Sequence, residues 1–246
     1  MKTINAVVLT AAVLTLSACA TTRQVADSGF KPPQGNYHLI VMQPDISVGL
    51  LTAGGSVEPR EDWTNQARDN VLKALLAQQT KRGGDIKIAT TREEAGGDPA
   101  MVSDLIWLHA AVGQAIRQHK YGVQPLPTKK DKFDWTLGNQ AVEYGTTTHY
   151  DYALFLHAQD SFSSGGRVAL QIAGALTCGL GVCVMPPGGM QVAFASLVDL
   201  KTGQIVWFNT LADGMGDIRT PQGAQKMVGA LLEKMRAGED SKAHKS

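Results

Sequence analysis

Phosphate-binding loops are missing from this sequence: it has no Gly-rich Walker or dinucleotide fingerprint, which removes the common nucleotide-dependent enzyme classes. Its six histidines include no His-Glu-x-x-His pair, so the helix-borne zinc site of metalloproteases is excluded. No Gly-x-Ser-x-Gly elbow lifts a nucleophilic serine above a sheet, and no pair of cysteines stands at the two-residue spacing of thioredoxin-like redox centres. Neither sign of charge dominates, with 23 Lys and Arg against 22 Asp and Glu. That balance offers no concentrated basic surface to displace counterions from nucleic acid. The apolar run from Ala6 to Leu16 is too short to remain as a membrane-spanning helix.

What that run does fit is a secretory signal, with Lys2 as its positive flank. Leu16-Ser17-Ala18-Cys19 follows it and looks like the lipobox of bacterial lipoproteins: small residues before the cut, then a cysteine whose thiol accepts diacylglycerol. An ordinary cleaved signal with a chance cysteine is the alternative. Acylation at both the thiol and the new amine adds several chains, palmitate among them, each buried methylene contributing about 0.8 kcal/mol. Ala20 stands where an aspartate would resemble an inner-membrane retention signal, so the expected place is the periplasmic face of the outer membrane. Loss of residues 1–18 removes Lys2 and no acid, taking the formal net charge from +1 to zero. Residues 19–36 are small, polar and Pro-containing and read as a lipidated flexible tether. Residues 37–237 are enough for one well-cored domain, and the charged stretch 238–246 reads as a disordered tail.

Within that domain, Tyr37 to Gln43 reads as a buried strand ended by Pro44, with a Gly-containing loop after it. Pro59 opens a helix with Glu61 and Asp62 in the first turn and an apolar face of Trp63, Ala67, Val71 and Leu75; Gly83-Gly84 stops it. Asp85 to Thr91 alternates as a strand. Asp98-Pro99 caps a helix with Met101, Leu105, Leu108, Val112 and Ile116 at helical spacing, running toward Gly122. A further helix is expected over 134–148, a strand over 151–159, another over 168–176, a hairpin over 191–209, and a last helix capped by Thr220-Pro221. The order implies an α+β (mixed α/β) fold, one mixed sheet with helices packed on it.

The hairpin runs Val198-Asp199-Leu200, Lys201-Thr202-Gly203, Ile205-Val206-Trp207, after a strand preceded by Asp151-Tyr152. It resembles a hairpin carried by periplasmic lipoproteins of the curli-secretion-channel and penicillin-binding-protein-activator types. Here Asp199 can cap the turn, Gly203 can take positive φ and Trp207 can cover the sheet edge. The likeness extends by order of elements from Tyr37 to Arg236. Relative to the curli channel the chain has a long insertion at 92–149, and no membrane-spanning hairpins are identified in it. The resemblance implies a fold used to dock partners or to form rings.

Three places could carry chemistry. Cys178 and Cys183 remain once Cys19 is lipidated, and an even pair in the oxidising periplasm implies a disulfide closing the Gly-rich loop between them, with buried free thiols as the alternative. Val168 to Met185 carries no charge; its glycines and Pro186-Pro187 point to buried strands joined by a tight loop, the other possibility being contact with membrane or a neighbouring subunit. His149, Asp151 and His157 share strand parity and form the candidate polar cluster for acid/base chemistry or a metal, against a reading as solvated core-edge residues. His109 and His119 share one helix without ligand spacing, and Ser161, Ser163 and Ser164 fit a polar turn as well as a triad near His157 and Asp160.

The expectation is a lipid-anchored periplasmic protein, not an enzyme and without cofactor or metal, acting by protein-protein contact in envelope assembly or maintenance. Its partners would be the membrane, through the lipid, and envelope proteins or further copies of itself. The alternatives are a lipoprotein binding a small ligand or cell-wall fragment, and a hydrolase. A concave pocket lined by Trp107, Trp135 and Tyr144 would favour binding; a flat apolar patch around 174–190 would favour assembly.

Overall fold

The computed structural model describes residues 21–26, 37–79, 85–129, 132–181, 183–212 and 216–236. The signal segment 1–18, Cys19 and the tail 238–246 lie outside the described residues. The strands are β1 (Thr21–Ala26), β2 (His38–Val41), β3 (Asp45–Leu51), β4 (Val57–Pro59), β5 (Asp85–Ile88), β6 (Tyr152–Ser163), β7 (Gln191–Asp199) and β8 (Ile205–Ala212). The helices are α1 (Glu61–Gln79), α2 (Pro99–Ile116), α3 (Gly138–Thr148), α4 (Gly165–Gly179) and α5 (Pro221–Leu232).

All eight strands join one mixed sheet in the order β1-β8-β7-β6-β2-β5, with β3 also on β6 and β4 on β3. The long strand β6 serves two partners on one side: Tyr152 to Leu154 pair in parallel with β2, and His157 to Ser163 with β3. Met42, Gln43 and Pro44 make the step between them, and Pro44 brings no N–H to a ladder. The segment expected to be a Gly-containing loop is therefore strand β3, paired on its other side with β4. Gly49 makes that pairing possible, because a Cβ there would lie 2.4 Å from Val57 Cγ1 and 2.9 Å from the Glu58 carbonyl oxygen.

Alternation along β6 sends side chains to two cores. Leu154, Leu156 and Ala158 join Ala67, Val71 and Leu75 of α1 and Ala224, Met227 and Leu231 of α5. Ala153 and Phe155 join Val102, Leu105 and Ile116 of α2 and Ala141 and Tyr144 of α3 on the opposite face. Helices thus cover both faces. Their starts follow the sequence signals: the Asp98 carboxylate accepts from Ala100 N at 3.0 Å ahead of Pro99, and Thr220 Oγ1 accepts from Gly223 N at 3.1 Å ahead of Pro221.

Four further expectations change. Thr21–Ala26, expected in the flexible tether, is a strand paired antiparallel with β8 from Thr21↔Ala212 to Ala26↔Trp207. β8 is consequently no edge, and Trp207 does not cover one: it is 1% exposed, inside the core beneath α5. Residues 134–137, expected to be helical, instead run beside the hairpin, where Leu137 N donates to Gly203 O at 2.8 Å and Ile205 N to Trp135 O at 2.8 Å. Residues 168–176 are helical, as part of α4, because Ser164 Oγ accepts from Arg167 N at 3.2 Å and starts a helix where strands were expected.

The turn at 199–203 follows its residue chemistry: Asp199 Oδ1 accepts from Lys201 N at 2.8 Å, and Gly203 stands at φ 71°. A Cβ on Gly203 would lie 2.5 Å from the Gly138 carbonyl oxygen. Gly203→Ala is expected to cost at least about 2 kcal/mol, from left-handed strain plus that collision with backbone. Urea denaturation reads this directly, and a loss below about 0.5 kcal/mol would mean that the crossing of the two segments yields freely.

Candidate functional site: a closed polar interior and an exposed apolar arm

The structure does not gather His149, Asp151 and His157. His149 ends α3 as a left-handed cap at φ 62°, its N–H bonded to Gly145 O at 2.9 Å. Asp151 Oδ2 accepts from His38 N at 3.0 Å and its Oδ1 pairs with Lys201 Nζ at 2.9 Å, the backbone bond leading the causes that hold its carboxyl below the usual range. These two line a shallow depression of about 410 Å³ with Val142, Tyr150, Leu200 and Lys201. His157 lies six residues further along the same strand, about 20 Å away at the rise of a β-strand.

His157 instead finds Asp45, which the sequence pattern did not single out. Its Nδ1 lies 2.7 Å from Asp45 Oδ2, and its ring stacks on Phe194 at 4.8 Å. Burial pulls the Asp45 carboxyl upward, but the His157 hydrogen bond, with the charges of His157 and Arg68, outweighs it and holds the group low. On the same face His109 Nε2 lies 2.9 Å from Ser196 Oγ, with the imidazole stacked 5.0 Å from the Phe155 ring. Burial pushes the His109 pKa down to about 3, so it is neutral at physiological pH. The signal for His109 was present: it falls among Val102, Leu105, Gly113 and Ile116 on the buried stripe of α2. A serine beside a histidine is the distance pattern of nucleophilic catalysis. Here Ser196 is 0% and His109 1% exposed, so the pair fastens α2 to β7 rather than facing a substrate.

Asp160 completes the interior set. It is 1% exposed, and burial pushes its pKa up to about 6 although Gln191 Nε2 donates to Oδ2 at 3.0 Å. The serines have structural duties as well: Ser164 caps α4, and Ser161 Oγ accepts from Met190 N at 2.8 Å. Trp107, Trp135 and Tyr144 do not share a pocket, since Tyr144 is fully buried with its hydroxyl donating to Ala95 O at 2.8 Å while Trp107 is 63% exposed on α2.

The segment expected to be core is the most exposed apolar surface of the described residues. Ile172, Leu176, Leu180 and Val184 are 58%, 70%, 85% and 74% exposed. They lie on an arm formed by α4 and the return segment 183–190, closed by the Cys178–Cys183 disulfide with Cα atoms 4.0 Å apart. Gly174 lets the return segment cross the helix, for a Cβ there would lie 2.6 Å from Val184 O. Arg167, 8% exposed, clamps the root through Nε and Nη2 to Pro187 O at 3.1 and 2.9 Å and Nη1 to Ala53 O at 3.3 Å. No helix of the described residues is long and apolar enough to cross a membrane.

No protein-family model matches this chain, and no curated protein does. Among solved structures it is similar to the PelC dodecamer from Paraburkholderia phytofirmans over 88% of this chain and 97% of that one, at 14% identity and a TM-score of 0.38. It is also similar to the LpoB C-terminal domain from Salmonella enterica over 76% of this chain and 87% of that one, at 14% identity and a TM-score of 0.26.

Proposed function

We propose that this chain is a lipoprotein anchored through acylated Cys19 at the periplasmic face of the outer membrane, and that its α/β domain works by protein-protein contact in envelope assembly or maintenance. The lipobox Leu16-Ser17-Ala18-Cys19 supports the anchor. The observation that carries the contact reading is the division between inside and outside. Of the groups capable of acid/base or nucleophilic work, His109 and Ser196 are buried and bonded to one another, Asp160 is buried with Oδ2 held by Gln191, and His157 and Asp45, both partly buried, bond each other. Outside, Trp107 stands on the free face of α2 among Ala100, Ser103, Ala110 and Ala111, with Asp104 as the helix's one carboxylate. An exposed tryptophan set in small side chains is the residue type that anchors protein interfaces.

Two measurements separate the anchor from the contact. Mass spectrometry of the natural amino-terminal peptide should show acyl chains on Cys19, and Cys19→Ser should abolish them or leave the signal uncut. A bare amino terminus would sink the anchor. A photoreactive amino acid at position 107 should give a discrete protein adduct in intact cells, to a second copy or to another envelope protein. The same probe yielding no protein adduct would remove the contact reading while leaving the anchor untouched.

A further inference from the structure

The two ends of the sheet differ in character, and strand register fixes what lies at each. The 199–203 hairpin, α3 and the Asp151–Lys201 pair occupy one end. At the other, β6 runs out into α4, and β7 begins where the arm returns. Thr21 of β1 pairs with Ala212 of β8, and Ala212 pairs with Val192 of β7, two residues beyond the exposed Met190. At about 4.8 Å between neighbouring strands, the Thr21 backbone lies about 10 Å across the sheet from Val192. Cys19 precedes Thr21 by two residues, a chain span of at most roughly 7 Å.

We infer that the arm of residues 165–190 seats in the same lipid leaflet that holds the acyl chains of Cys19, as a second and noncovalent attachment of the domain. This rests on the anchor proposed above, which places that leaflet against this end of the sheet. Chemistry at the arm fits lipid. No charged residue occurs from Val168 through Val198, so the protruding side chains Leu170, Ile172, Leu176, Leu180, Val184 and Met185 stand on a stretch of chain that carries no charge into an apolar phase. α4 satisfies its own backbone groups, as a segment entering an apolar phase must. With 15 residues it is about 22 Å long, suited to lying in the interface to a depth of about 5–10 Å rather than crossing. The disulfide and the Arg167 clamp hold the apolar side chains out on a firm base, so contact requires little new ordering.

The test uses two samples so that the arm and the anchor can fail separately. In intact outer membranes carrying the natural full chain, a photoreactive residue at Leu176 or Leu180 should form phospholipid adducts, seen as the mass of one phospholipid on the arm peptide. The same probe at Glu143 on α3 should not. Adducts to protein alone, whether a second copy or another envelope component, or no adduct at all, would overturn the inference. The processed chain, residues 19–246 with Cys19→Ser, should still float with vesicles of phosphatidylethanolamine and phosphatidylglycerol, and Leu176→Glu with Leu180→Glu should weaken that binding by about tenfold or more. Both positions are exposed, so the charges spare the core, and circular dichroism verifies the fold. Vesicle binding that ignores the two glutamates would sink the arm even with Cys19 acylated; binding that depends on them would support the arm even if Cys19 proved bare.

Discussion

Asp160→Asn is expected to make the fold markedly more acid-sensitive and His109→Gln to make it less so, because these two buried groups pull stability in opposite directions over the same pH range. His109 has a folded pKa near 3 against an ordinary value of 6.5. Below about 6.5 the unfolded chain takes up a proton that the folded imidazole refuses, so each pH unit downward costs up to about 1.4 kcal/mol until the folded value is reached. Asp160 has the reverse sign: its carboxyl is raised from 3.8 to about 6. Between those values the folded state keeps a proton that the unfolded chain gives up, and acidification stabilises by up to about 1.4 kcal/mol per unit. The two slopes offset one another from about pH 6 to about pH 4. Asp45, held low beside His157, adds a loss only as pH falls through its own depressed range.

Unfolding free energies from urea denaturation, followed from about pH 7 to about pH 4.5, should therefore fall gently for the natural chain. They should fall by roughly a further 2 kcal/mol for Asp160→Asn, and flatten or rise for His109→Gln. If both variants ran parallel to the natural protein over this range, the proposed opposition would be wrong.

Trp207→Ala should cost about 3–5 kcal/mol, enough to unfold a marginally stable domain. The indole is 1% exposed and sits where three strands meet: its position registers with Leu197 of β7 and Ala26 of β1, and Leu211, Met227 and Leu231 share its core cluster. Its neighbours from α5 and the sheet are themselves buried, so truncation would leave a space within the core. Trp207→Phe discriminates packing from hydrogen bonding. Trp207 Nε1 is buried and has no acceptor among the described residues, so phenylalanine gives up volume but no bond, and its cost should be less than half that of alanine. Equal losses for the two variants would assign the indole nitrogen a role that packing does not explain.

Elements whose periodicity matched their burial were legible in the sequence. α1 announced itself by apolar spacing, although Pro59, expected to open it, ends β4 in pairing with Gly49 and the helix starts at Glu61; α2 and α5 did so by apolar spacing and capping residues, and the 191–209 hairpin by its Lys-Thr-Gly turn. Segments shaped by distant partners were not. β3 contains Gly49 and follows Pro44, signs of a loop, yet it is held by a parallel ladder to β6 that local composition cannot announce. β1 pairs through its backbone with β8, and its short polar sequence looks like tether. α4 misled for a different reason: its uncharged apolar run invited a buried reading, whereas the side chains project outward. Within the candidate site, His157 was noticed for the wrong neighbours, since its partner Asp45 lies 112 positions away in sequence, and Ser196 lies 87 from His109. Distances of that kind come only from topology.

If Cys19 is acylated as proposed, the pairing of β1 with β8 also sets how far the domain can work from the bilayer. While that ladder is closed, Ala20 alone stands in the sequence between Cys19 and the sheet, which would keep a domain anchored in this way against the membrane surface. Any partner must then approach the bilayer or be embedded in it. Unzipping the six residues of β1 would leave seventeen residues, 20–36, with a contour length of up to roughly 55 Å, so the working radius of a domain anchored in this way would depend on one short edge strand.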